Sequence, residues 1–131
     1  MKQQFHHLGV ACQDLDKEAT RLAPLGYAPE GEDFVDPVQG VSGRFLAGGG
    51  PRLELLAPLA ASGFLTPWLA SGVKLYHLAY ETPSLDEEIA RFRTQGAKLV
   101  VRPVPAVAFG GRPIAFLMLP NLLLVELIAQ R

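Results

Sequence analysis

Short apolar segments recur along the chain, and in them hydrophobic and polar residues alternate or run together as they do in half-buried β-strands. FHHLGVA at 5–11 and LYHLAYE at 75–81 are two such segments. Turn signals occur between further apolar segments, GGGP at 48–51 and Pro-Asn at 120–121. Further strands are predicted over 41–47, 52–57, 98–102, 114–119 and 122–129.

Two helices are predicted, one directly after each of the segments at 5–11 and 75–81. Asp14 is the expected N-cap of the first, and Ser84 with Glu87 forms an S-x-x-E capping box at the start of the second. A glycine stands where each helix would end in a left-handed residue. The apolar helix faces are Leu15, Ala19 and Leu22 in the first and Leu85, Ile89 and Phe92 in the second.

The chain repeats itself at a nearly constant offset, which organises it into two modules. FHHLGVACQDLDKEATRLAPLGYA aligns with LYHLAYETPSLDEEIARFRTQGAK, so that His7 falls on His77. RLELLAP aligns with LVELIAQ and places Glu54 on Glu126. The repeat predicts an α+β fold of two tandem βαβββ modules that form a cupped mixed or antiparallel sheet.

The expected organisation is a single domain over 1–131, with module one at 3–58, a linker at 59–73 and module two at 74–131. The linker sequence SGFLTPWLASG is expected to hold a short helix with Trp68 as its apolar anchor. RPVPAVAFGGRP at 102–113 is rich in proline and glycine, so we expect a loop over a cleft rather than regular structure.

His7, Glu54, His77 and Glu126 are the repeated polar positions, and each lies among apolar residues of a predicted strand. A carboxylate buried without a partner costs several kcal/mol, so both glutamates should be paired, protonated or bound to a metal ion. Pseudo-twofold pairing of the modules would gather the four groups. Two imidazoles and two carboxylates suit one divalent first-row metal ion: cobalt, nickel, zinc, manganese or iron. The alternative is that they are hydrogen-bonded core residues, or face solvent from an open sheet.

Other candidate residues have simpler explanations. His6 has the opposite strand parity to His7, and Cys12 is expected to be a small buried residue. Four acids near the predicted helix N-termini are expected to be solvated: Asp16, Glu18, Asp86 and Glu88. Four arginines could hold an anionic substrate, but an ordinary surface position is the favoured explanation for each: Arg44, Arg52, Arg102 and Arg112.

Composition narrows the class of protein. Apolar residues make up 49% of the chain and charged residues 19%, enough for a sizeable core. The net charge of −1 provides no basic surface for nucleic acid or for a membrane. The start MKQQFHH lacks the apolar core of a signal peptide, and a single cysteine fits a reducing compartment. We therefore expect a cytoplasmic protein with no nucleic-acid or membrane partner.

HHLGVACQDLDKE, RLELLAPL, LYHLAYE and LLVELIA resemble the vicinal oxygen chelate superfamily, which includes glyoxalase I, bleomycin-resistance proteins and extradiol dioxygenases. Within it, ELLAPL, FLTPWLASG, VKLYHLAYE and FGGRPIAFLMLPN most resemble methylmalonyl-CoA epimerases. The resemblance covers essentially the whole chain. It implies that His7, Glu54, His77 and Glu126 are the ligands of one divalent metal ion.

The resemblance also implies an activity: a metal-dependent isomerase or lyase that stabilises an enolate of an acyl-CoA or a similar thioester or ketone. It gives Glu126 a catalytic role as a base. Epimerisation needs a proton carrier on each face of the substrate. In some bacterial epimerases a second glutamate occupies the position of Gly43, and this chain lacks it. The resemblance also implies a homodimer, which members of the superfamily commonly form.

Two alternatives stay open within the same superfamily. One is a glyoxalase I-type lactoylglutathione lyase. The other is a non-catalytic protein that sequesters a ligand, as bleomycin-resistance proteins do, although such proteins generally carry apolar residues at the ligand positions. An extradiol dioxygenase uses two histidines and one glutamate in a chain about twice as long, so Glu54 argues against it.

Overall fold

The computed structural model describes residues 3–60 and 63–131 of the chain. Across these ranges the fold is α+β, with nine strands in an open mixed sheet and three α-helices, which confirms the predicted class. The chain divides into two compact units: residues 7–76, and residues 3–6 together with 77–131. Two residues of the predicted linker, 61 and 62, lie outside the described ranges. No helix in the described ranges is long and apolar enough to cross a membrane.

The first unit contains most of β1 and a sheet in the order β2-β4-β5-β1, with β3 paired to the free side of β4. β1 runs parallel to β5, and β4 is antiparallel to β2, β3 and β5. The elements are β1 (Gln4–Ala11), α1 (Leu15–Leu22), β2 (Ala28–Pro29), β3 (Phe34–Asp36), β4 (Val41–Ala47), β5 (Leu53–Pro58) and α2 (Thr66–Ser71).

The second unit repeats this arrangement, with strand order β6-β9-β8-β7. β6 runs parallel to β9, as β1 does to β5, and the other pairs are antiparallel. The elements are β6 (Leu75–Thr82), α3 (Leu85–Thr94), β7 (Lys98–Pro105), β8 (Pro113–Met118) and β9 (Leu124–Ala129).

One helix covers one face of the sheet in each unit and leaves the opposite face to the repeated polar residues. In the first unit Leu15, Ala19 and Leu22 of α1 pack on a core that includes Val10 and Leu55. Asp14 caps α1 by accepting a hydrogen bond from the Lys17 amide at 2.9 Å. In the second unit the core comprises Leu85, Ile89, Ala97, Ala115, Leu117, Val125 and Leu127.

Three predictions about secondary structure need correction. The first unit has two short strands, β2 and β3, that were not predicted. β7 continues to Pro105, and a 3-10 turn follows at Val107–Phe109, so much of 102–113 is regular structure. Ser84 is the N-cap of α3, but its side chain makes no capping hydrogen bond. The short linker helix is present as α2, where Trp68 packs against Tyr76 with ring centroids 5.7 Å apart.

Glu88 on α3 is buried, contrary to the expectation that it is solvated. Arg91 donates hydrogen bonds to it from Nη2 at 2.8 Å and from Nε at 2.9 Å, and Gln3 donates another from Nε2. The hydrogen bonds from Arg91 hold the pKa of Glu88 below its ordinary value of 4.5. The carboxylate therefore ties the start of β1 to α3.

Glu88→Gln is expected to lower the melting temperature by a few degrees at neutral pH. A carboxyl group whose pKa is lowered by folding stabilises the protein above its unfolded pKa, and this contribution is lost as the pH falls through the folded value. The difference between the two proteins should therefore narrow below a pH of about 4.5. Thermal unfolding over a pH series measures it. Glu87→Gln, at an exposed neighbouring position, is the matched control and should have little effect; a difference that does not change with pH would contradict the assignment.

Candidate metal centre

His7 and Glu54 lie on neighbouring parallel strands of the first unit. Gly9 of β1 is the partner of Glu54 on β5, and His7 lies two residues before Gly9 on the same face of the strand. The register therefore brings the two side chains together, with His7 Nε2 3.1 Å from Glu54 Oε1. His7 is 0% exposed and Glu54 is 4% exposed, so both polar side chains are shielded from solvent.

His77 and Glu126 form the same pair in the second unit. Ala79 of β6 is the partner of Glu126 on β9, again two residues beyond the histidine. His77 Nε2 lies 3.2 Å from Glu126 Oε1, and both residues are buried. The repeat in the sequence is thus a repeat in strand register, because each glutamate has the same position relative to its histidine.

An aromatic ring packs against each histidine, and neither ring was predicted from the sequence. Phe45 is the cross-strand partner of Glu54 and meets the edge of the His7 ring at a centroid distance of 5.5 Å. Phe116 is the partner of Glu126 and meets His77 in the same way at 5.2 Å. The two phenylalanines are related by the offset of the repeat, which is the signal that could have found them. Each phenylalanine therefore packs against the imidazole of a buried His–Glu pair.

The potential ligand atoms of His7, Glu54, His77 and Glu126 all lie within 4.8 Å of one another. The donor set fits a divalent first-row metal ion, because neutral imidazole and carboxylate are ligands that such ions accept. Ligand atoms on opposite sides of an ion with bonds of about 2.1 Å are about 4.2 Å apart, close to the observed spread. A divalent cation would also offset the charge of two buried carboxylates, which is otherwise costly.

The structure places the remaining candidates in structural roles. His6 packs edge-on against Phe109 in the second unit, with centroids 5.3 Å apart. Cys12 is buried as expected, and its burial, with the nearby charge of Glu18, raises the pKa of the thiol to about 11. The thiol therefore stays protonated at neutral pH and is a poor nucleophile or metal ligand.

Three of the four arginines are engaged with acids of their own unit, and the fourth, Arg102, is exposed on β7. Arg44 donates to Asp33 at 2.7 Å and to Asp16 at 2.8 Å, so it links β4 to α1. The others pair over 2.7–2.8 Å, Arg52 with Glu30 and Arg112 with Glu81. These ion pairs indicate that the three arginines stabilise the fold, and they argue against a role in binding an anionic substrate.

Each unit combines the same strand arrangement, a helix on one face of the sheet and a buried His–Glu pair on the other. This combination belongs to a known class of protein. The Glyoxalase/Bleomycin resistance protein/Dioxygenase superfamily matches residues 6–116. The chain belongs to this superfamily, as its sequence predicted.

Methylmalonyl-CoA epimerases are among the similar proteins, as the sequence also predicted. The ethylmalonyl-CoA/methylmalonyl-CoA epimerase of Cereibacter sphaeroides is 27% identical over 118 residues, which cover 87% of each chain. The methylmalonyl-CoA epimerase of Mycobacterium tuberculosis superposes with a TM-score of 0.80 at 26% identity, over 98% of this chain and 88% of its own. A Streptomyces coelicolor methylmalonyl-CoA epimerase variant in complex with 2-nitronate-propionyl-CoA gives a TM-score of 0.81 at 28% identity, over 97% and 96% of the two chains.

Proposed function

We propose that this protein is a metal-dependent isomerase of the epimerase type that moves the proton next to the thioester carbonyl of an acyl-CoA. The observation that carries the proposal is the pair of buried His–Glu contacts, 3.1 Å and 3.2 Å, placed in the same strand register in two units. The similarity to epimerases of acyl-CoA thioesters supports the substrate class. A cytoplasmic homodimer remains part of the proposal.

His7, Glu54, His77 and Glu126 would hold one ion of cobalt, nickel, zinc, manganese or iron. When bound, such an ion supplies Lewis-acid stabilisation of negative charge on a carbonyl oxygen. The protein supplies two buried imidazoles, each in a T-shaped contact with a phenylalanine ring, and two buried carboxylates. Such preorganised groups are effective because they need not rearrange during the reaction.

Glu126 is the proposed base. One of its carboxylate oxygens would accept the proton from the carbon next to the thioester and return it, and general bases of this kind typically contribute 10²–10⁴-fold in rate as an order of magnitude. Glu54 has the same pairing and nearly the same burial, so the choice of Glu126 is supported by the family resemblance and not by the local geometry.

Epimerisation requires that the proton return to the opposite face, and β4 offers no second carrier at residue 43. Gly43 has no side chain, and the ring of Phe34 lies where a Cβ would be placed. The proposal therefore separates two measurable steps: exchange of the proton with solvent, which one base can perform, and inversion, which needs a second proton donor.

The wild-type protein, loaded in turn with each of the five metals, is expected to incorporate deuterium from heavy water at the α-carbon of methylmalonyl-CoA. Mass spectrometry follows the exchange, and a chiral assay follows inversion in the same samples. Removal of the metal with a chelator should stop the exchange, and return of the metal should restore it. Exchange without inversion would match the absence of a side chain at Gly43.

No exchange with any of the metals would contradict the proposed substrate class. Formation of lactoylglutathione from methylglyoxal and glutathione would then favour the glyoxalase I alternative. Tight binding of a thioester that is neither exchanged nor altered would favour the ligand-sequestering alternative.

A further inference from the structure

β3 brings an aromatic ring onto the same face of the first unit as His7 and Glu54. Phe34 of β3 is the cross-strand partner of Gly43, and Gly43 is the partner of Leu56 on β5. Directly paired residues point to the same face of a sheet, and so do residues two apart on one strand. Phe34 therefore shares a face with Phe45 and Glu54.

The Phe34 ring lies over Gly43 and occupies the place that a side chain at residue 43 would take. A Cβ at residue 43 would stand 2.7 Å from Cε1 of the ring and closer still to Cζ. Gly43 does not have a positive φ, so its backbone conformation does not itself call for glycine. Glycine is therefore required at residue 43 because the Phe34 ring occupies the space of a side chain, and not because of the backbone conformation.

The ring is also connected to the histidine through one intermediate contact. Phe34 and Phe45 have centroids 5.9 Å apart and are tilted by 33°, and Phe45 meets His7 edge-on. Phe34 is only half-buried, so part of its side chain stays accessible for contact with a ligand. Phe45 touches the histidine directly, whereas Phe34 lies one ring further away.

We propose that Phe34, seated on Gly43, forms the wall of the site that limits the size of the substituent on the α-carbon of the acyl-CoA. The inference rests on the proposed function, since it assumes that an acyl-CoA occupies this face. An apolar wall of this kind discriminates by size: one methylene more or less changes the relative specificity by roughly 10–200-fold. Phe34 would therefore determine specificity without taking part in proton transfer.

The test compares methylmalonyl-CoA with ethylmalonyl-CoA, which differ by one methylene in the substituent. Titration calorimetry on metal-loaded protein measures the two dissociation constants, and their ratio is the readout. Phe34→Ala is expected to shift the ratio towards ethylmalonyl-CoA by roughly 10-fold, and Phe34→Leu by less in the same direction. Val35→Ala, on the opposite face of the same strand, is the matched control and should leave the ratio unchanged.

Gly43→Ala provides a second and opposite perturbation. The new Cβ cannot coexist with the ring in its present place, so the ring must shift, and a shift towards His7 and Glu54 would narrow the site. The ratio should then shift towards methylmalonyl-CoA. This variant keeps the aromatic ring, so its effect does not depend on opening a cavity that could destabilise the protein.

Two outcomes would overturn the inference, and they are distinguishable. If all proteins bind both thioesters and the Phe34 variants keep the wild-type ratio, Phe34 only covers a glycine, and the proposed function stands. If the wild type binds neither thioester, the proposed substrate class falls and this inference falls with it. A loss of melting temperature without a change in the ratio counts as the first outcome.

Discussion

Protein purified without chelator is expected to carry about one divalent first-row metal ion per chain, and His77→Ala almost none. Removal of one of four ligands leaves two buried carboxylates with less compensation and an incomplete donor set, so affinity should fall steeply. Added metal should raise the melting temperature of the wild type by on the order of 10 °C at a concentration 100 times Kd, because binding to the folded state alone stabilises it. Elemental analysis and thermal unfolding measure the two effects.

β1 supplies a matched control for this experiment in two adjacent histidines. His7 is buried beside Glu54, whereas His6 points to the opposite face and packs on Phe109. His7→Ala should behave like His77→Ala, and His6→Ala should retain the metal and its thermal shift. The metal-dependent function would be contradicted if the wild type carried no divalent metal and gained no thermal stability from cobalt, nickel, zinc, manganese or iron. Retention of metal by His7→Ala would exclude His7 from the ligand set.

The repeat made the two buried His–Glu pairs predictable because it fixed strand register as well as residue type. Glu54 and Glu126 each face the residue two beyond a histidine, so a constant offset in sequence became the same contact twice. The core strands were predictable for a different reason: they are apolar and bounded by turns. β4 runs over Val41–Ala47, as the sequence analysis expected.

The features that the sequence analysis missed depend on partners that are distant in sequence. β2 and β3 are two and three residues long, too short to show alternation, and they exist because β4 offers a free edge. β7 tolerates Pro103 because it is the edge strand of its unit, where a missing amide costs little. Glu88 is buried because Arg91 and Gln3 meet it, and no pattern local to α3 specifies the second of these.

Phe34 illustrates the same dependence on partners that are distant in sequence. The sequence shows that Gly43 lacks a side chain, but not what fills the space above it. The filling ring comes from β3, which was not predicted, and it reaches Gly43 only through the pairing of β3 with β4. Ligand-type residues are therefore easier to identify from the sequence than the side chains that pack around them.

Glu126→Gln is expected to slow α-proton exchange of methylmalonyl-CoA by roughly 100-fold or more at saturating metal, while Glu54→Gln slows it far less. Glutamine keeps the size of the side chain and an oxygen that can approach a cation, but it cannot accept the proton. The two variants should weaken metal binding to a similar extent, because the two carboxylates are alike in burial and in their distance from a histidine. Deuterium incorporation, normalised to the metal content of each sample, measures the difference.

The near equivalence of Glu54 and Glu126 is what makes this comparison decisive. A loss that arises only from metal depletion should affect both variants equally and should be reversed by excess metal. A loss that arises from the missing base should affect Glu126→Gln alone and should persist when the metal content equals that of the wild type. Equal rates for the two variants at equal metal content would leave Glu126 as a ligand only. A larger loss in Glu54→Gln would place the base in the first unit, beside Phe45 and His7.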